Sequence, residues 1–67
     1  MTWTVENINT YMKALAEEAK GLQRMGRAVY DVREFIARAA HVVVVECEDE
    51  MLGEVAHAME RAGLFEF

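Results

Sequence analysis

From Ile8 onward, apolar residues return at steps of three and four: Ile8, Met12, Leu15, Ala19 and Leu22. That spacing places them on one face of an α-helix, and Lys13, Glu17, Lys20 and Arg24 occupy another. The pattern predicts a helix over about residues 6–25. Gly21 weakens it and Gly26 ends it, because glycine accepts the left-handed conformation of a helix C-terminus. Lys20 and Arg24 in the last turns suit the helix dipole. A second amphipathic stretch, Val29, Val32, Ile36 and Ala39 with Phe35 alongside, predicts a helix over about residues 28–40. Its Glu34 and Arg38 form an i,i+4 pair in the favourable order, worth about 0.3–0.5 kcal/mol. A third stretch, Met51, Val55, Ala58 and Ala62 with Leu52 and Met59 beside them, predicts a helix over about residues 48–62, closed by Gly63. Ile8, Leu15, Leu22, Val29, Ile36 and Val43 also recur every seven residues, as in one long coiled-coil helix. The two glycines, and polar or charged residues at 18, 33 and 46, favour a helical hairpin bent at Gly26 instead.

Three segments depart from helical spacing. Trp3 and Val5 alternate with Thr2 and Thr4, which reads as a strand over residues 1–5. Thr4 serves equally well as a helix N-cap with Asn7 at the third helical position. Val42–Val45 are four β-branched residues in a row, which lose side-chain freedom in a helix and suit a strand buried on both faces, over residues 42–46. Leu64–Phe67 alternates, with Phe65 and Phe67 on one side, and predicts a last strand over residues 64–67. The expected fold class is therefore mixed α+β: one small domain, β-α-α-β-α-β, with a short three-stranded sheet and the valine strand at its centre. The closing βαβ unit would be parallel and right-handed. The alternative is an all-α three-helix bundle with His41–Cys47 inside a helix.

Composition changes the picture in two respects. Sixty-seven residues make a single domain that buries only roughly 60% of its unfolded surface. One cysteine, Cys47, excludes an internal disulfide, so packing or self-association must supply stability, and a homodimer is the expectation. Charge is also unevenly placed. Residues 1–40 carry six Lys/Arg and five Asp/Glu, whereas residues 41–67 carry one Arg and seven Asp/Glu, within a chain of net charge −5. This acidic balance argues against direct nucleic-acid binding. The N-terminal segment has no basic, apolar signal pattern. The longest bulky apolar run, Val42–Val45, is too short to cross a bilayer. With a single thiol, a reducing cytoplasm is the expected compartment.

Candidate chemistry is sparse. A nucleophilic Cys47 needs a base, and only His41 and His57 exist. Carboxylates at 46, 48, 49 and 50 crowd the thiol and oppose its ionisation. The spacing of His41, Cys47 and His57 matches no metal-ligand pattern. Glu54 and His57 form one E-x-x-H unit, where a di-iron bundle needs two with further glutamates. Gly21–Gly26 followed by Arg27 lacks the Lys-Ser/Thr ending of a phosphate loop. Lys13, Lys20, Arg24 and Arg27 make a basic stripe interleaved with Glu17 and Glu18, an ordinary solvated face. No catalytic residue, metal or cofactor is assigned.

What stands out is the acidic run Glu46, Glu48, Asp49, Glu50 and Glu54. Dipole compensation at a helix start accounts for Glu48–Glu50. It does not account for Glu54, which repeats the charge of Glu50 four residues on. Such a face suits a basic protein partner, including a nucleic-acid-binding protein. Trp3, Phe65 and Phe67 are the candidate interface aromatics, as core caps or as a dimer patch formed by edge-strand pairing. The expected function is a small acidic, non-enzymatic, protein-binding regulatory or adaptor module. The alternative is a phage-type anti-defence (anti-CRISPR-like) inhibitor, or nucleic-acid-mimic decoy, blocking a basic groove through Glu46–Glu54. A thiol- or metal-dependent enzyme has the least support.

Overall fold

Thr4 starts the first helix. Its backbone is extended, at φ −112° and ψ 165°, and its hydroxyl oxygen accepts from the Asn7 N–H at 3.1 Å. This is the capping geometry in which a threonine satisfies one of the unpaired amides of the first turn. In the computed structural model, which describes residues 2–67, helix α1 spans Val5–Arg24, α2 spans Val29–Glu46 and α3 spans Leu52–Arg61. A 3-10 turn over Asp49–Met51 leads into α3, and another over Leu64–Glu66 follows it. There is no strand among the described residues, so the α+β expectation is corrected to the all-α three-helix alternative.

The corner between α1 and α2 depends on Gly26, at φ +84°. Gly26 N donates to Gln23 O at 3.0 Å and Arg27 N to Leu22 O at 3.1 Å. These two bonds close the last carbonyls of α1 in a Schellman arrangement. The chain then turns back, and α2 runs antiparallel to α1. Gly63, at φ +75°, ends α3 in the same region of backbone space and lets Leu64 fold into the core.

All three predicted strands fail, for separate reasons. Over residues 1–5, the capping role of Thr4 prevails and Val5 is already helical; Met1 lies outside the described residues. Over residues 42–46, α2 continues through all four valines. A valine costs a helix only about half a kcal/mol relative to alanine, whereas a lone strand would leave backbone amides unpaired. Val43 lies seven residues on from Ile36 and is fully buried, while Val42, Val44 and Val45 stay exposed. One anchored valine in four therefore suffices to carry the helix. Over residues 64–67, the tail forms a turn with a three-residue period. That period puts Leu64 and Phe67, rather than Phe65 and Phe67, on one side; Leu64 is buried, Phe67 half-buried and Phe65 exposed.

The core is a single cluster. Helix α1 contributes Ile8, Met12, Leu15, Ala16 and Ala19; α2 contributes Val32, Ile36, Ala40 and Val43; α3 contributes Val55 and Ala58, with Leu64 beyond it. Helix α1 is the common element, packing on both α2 and α3, which touch each other at few points. Four of these twelve core residues are alanines.

Candidate functional site

The hairpin sorts charge in space. Glu6 near the start of α1 and Glu46 at the end of α2 share one end of a molecule whose extents are 36 × 19 × 17 Å. Glu48, Asp49 and Glu50 follow at that end, in the connection to α3. Lys20, Arg24 and Arg27 lie toward the opposite end, separated from Glu6 by most of the roughly 30 Å length of a twenty-residue helix. The acidic α2–α3 connection and the basic residues of the α1–α2 corner thus lie toward opposite ends, although Glu66 returns beside Lys20, and Asp31 and Glu34 lie beside Arg27.

Within the acidic end the five candidate residues differ. The Trp3 indole Nε1 donates to Glu46 Oε1 at 3.0 Å, which ties the N-terminal segment to the last turn of α2. Trp3 also meets Tyr11 edge-to-face, with ring centroids 5.3 Å apart. Glu46 is therefore engaged within the chain. Glu48, Asp49 and Glu50 are exposed, and none of them takes part in an ion pair among the described residues. Glu54 is half-buried in the first turn of α3, where its charge complements the helix dipole. The structure thus joins Glu46 to Trp3, leaves Glu48–Glu50 as a free acidic tip, and sets Glu54 apart on α3.

The three candidate aromatics do not form one patch. Trp3 lies beside Glu46. Phe67 lies near Arg33, whose Nε donates to the Phe67 carbonyl oxygen at 2.6 Å. Arg33 and Glu46 are separated by about 20 Å of helix. Phe65 points to solvent, with 64% of its surface exposed. Dimerisation by edge-strand pairing has no strand to work with among the described residues.

The remaining chemical candidates stay dispersed. Cys47 caps α2 and is half-buried, with Sγ 3.8 Å from Val44 O. His41 and His57 are exposed on α2 and α3. No group of three or more His, Cys, Asp or Glu is placed to hold a metal ion among the described residues. On the basic stripe, Lys20 pairs with Glu17 at 3.7 Å while both side chains remain largely solvated.

One feature escapes a reading based on helical faces alone. Arg61 of α3 donates to Asn9 Oδ1 at 2.7 Å, which fixes the side of α1 that α3 covers. Tyr11 lies two residues on, about 200° round the helix. On that far side an open groove of about 280 Å³ runs between α1 and α2, lined by Tyr11, Ala14, Leu15, Glu18, Phe35 and Ala39. Tyr11 Oη donates to Ala39 O at 3.0 Å across its floor. The sequence signal was Tyr11 at three residues from Ile8 and Phe35 at three from Val32, both flanking the assigned core positions. No family model matches the chain, and no match is found among curated proteins or solved structures. No helix among the described residues is long and apolar enough to cross a membrane.

Proposed function

We propose that this chain is a small, non-enzymatic protein-binding module of regulatory or adaptor type. Its acidic tip docks on a basic surface of another protein. The observation that carries this reading is the state of Glu48, Asp49 and Glu50: three adjacent carboxylates, exposed, without ion pairs among the described residues, at the end of the molecule where Glu6 and Glu46 add like charge. Repulsion among them costs the free protein stability, and a cationic partner relieves it. Charge of this kind contributes mainly to encounter rate and partner choice.

The test is affinity capture from the native host with immobilised protein, at low and high salt, comparing the wild type with the triple variant Glu48→Lys/Asp49→Lys/Glu50→Lys. The expected result is loss of the captured partner in the variant, and salt-sensitive capture by the wild type. Equal capture by the two proteins overturns the reading. If the captured protein binds nucleic acid and nucleic acid displaces it, the module acts as a decoy for a basic groove.

A further inference from the structure

We propose that the groove between α1 and α2 docks an amphipathic helix of another protein, with a Lys or Arg beside its apolar stripe to meet Glu18. The groove floor is Leu15 with the half-buried rings of Tyr11 and Phe35. Val42, 45% exposed, lies seven residues on from Phe35 and extends the same stripe of α2. Helix α3 covers only the other side of α1, so this stripe has no cover among the described residues. The walls select a helix as occupant. Both are helices whose backbone groups are bonded along their own axes, so neither offers an edge to an extended peptide. A helix brings its own backbone bonds and needs only side-chain contacts, which it makes at three- and four-residue spacing. Ala14 and Ala39, on opposite walls, let it approach closely.

Charge sets the sign of the occupant. Glu18 is the one charged residue lining the groove. It is exposed and has no ion pair among the described residues, whereas Lys20 and Arg38 on the same two helices are paired with Glu17 and Glu34. Symmetric pairing of two grooves would bring only a second Glu18 and no cation. A basic residue of a different chain supplies the missing charge, which favours this occupant over neutral or acidic helices. Glu18 lies twelve residues on from Glu6, about 18 Å along α1 from the acidic end. The groove is thus a second surface, and its occupancy does not depend on a partner captured at Glu48–Glu50.

Selection on the full chain from a phage-displayed library of helical peptides, each of about 18 residues so that a helix can form, tests this. The wild type should enrich peptides with apolar residues at three- and four-residue spacing and a Lys or Arg at one fixed place beside that stripe. Glu18→Lys protein should enrich Asp or Glu at that place instead. A synthetic copy of the best wild-type binder then serves as the probe in titrations at physiological salt. Ala14→Arg puts a long cation into the groove from an exposed helical position. It should weaken binding by about tenfold or more while leaving the helical circular dichroism intact. Glu18→Gln should weaken binding about two- to fivefold, as expected for one solvated ion pair. The triple variant Glu48→Lys/Asp49→Lys/Glu50→Lys should bind the probe nearly as the wild type does, because charges this far apart are screened. That variant loses only capture at the tip, so failure at the tip and failure at the groove are separate outcomes. The proposal is overturned if no helical peptide is enriched, if binding survives Ala14→Arg, or if the selected charge does not reverse with Glu18→Lys.

Discussion

Trp3 Nε1 and Glu46 Oε1 lie 3.0 Å apart although 43 residues separate them in the chain. The bond adds to the buried Val43 in holding the last turn of α2. That turn has no basic residue to meet the helix dipole, and Glu46 places a negative charge at the wrong end. Three of its residues are valines with low helix preference. Trp3 supplies a donor for the charge, and its ring, set against Tyr11, anchors the segment to α1.

Trp3→Phe keeps an aromatic ring and removes the donor. We expect a loss of about 1 kcal/mol, below the roughly 1.5–3 kcal/mol of buried bonds to charged groups because this one is solvent-exposed. Chemical denaturation followed by circular dichroism measures it. Glu46→Gln retains an acceptor and should cost less than Trp3→Phe; the opposite order would contradict the role given to the bond.

Two alanine substitutions in the valine run should have opposite signs. Val43 is fully buried, so Val43→Ala loses about 1–2 kcal/mol through the cavity it leaves. Val45 is 66% exposed, so Val45→Ala gains a few tenths of a kcal/mol from helix preference. Denaturation midpoints at constant m-value report both. Destabilisation of similar size at the two sites would mean that the run is not a helix with one buried position.

Gly26→Ala isolates a backbone effect. A Cβ at this position meets nothing within 4 Å, yet φ is +84°. The expected loss is about 1 kcal/mol, read as a lower thermal midpoint with unchanged helical content. Gly63→Ala, at φ +75°, should cost a similar amount, because the only close atom, Glu66 Oε2 at 3.2 Å, is the end of an exposed side chain that can swing away.

Amide exchange should be uneven along α2. The amides of Val44, Val45 and Glu46 lie in a turn held by few buried contacts and should exchange faster than those of Ile36 and Ala40. Trp3→Phe should accelerate the first group selectively. Uniform protection through Glu46 would show that this turn opens only with the whole fold.

Much of the helical framework was legible because its signals are local. Ile8, Met12, Leu15 and Ala19 share a face by spacing alone, and Gly26 and Gly63 mark helix ends by their tolerance of positive φ. Thr4 carried two readings, and the choice between strand and cap turned on a bond to Asn7 within the same turn. The valine run misled because side-chain preference there is weak compared with the backbone hydrogen bonds that a continuing helix supplies. Phe65 and Phe67 misled because a two-residue alternation over four residues is equally compatible with a turn of period three. At the acidic end, the sequence pointed to the charge but not to its internal partner. The bond between Trp3 and Glu46 exists only because α2 extends that far. The groove beside Tyr11 and Phe35 was out of reach for the same reason, since it is made by two helices and belongs to neither.

Helix α3 rests almost entirely on α1, and with ten residues it is too short to persist alone in water. Its folding and its docking are therefore one event. The chain has a hairpin tier that holds its own local contacts and a dependent tier that is helical only while seated. The tip that carries Glu48–Glu50 is thus mounted beside the helix that depends most on its neighbours, and its geometry holds only while α3 is seated on α1.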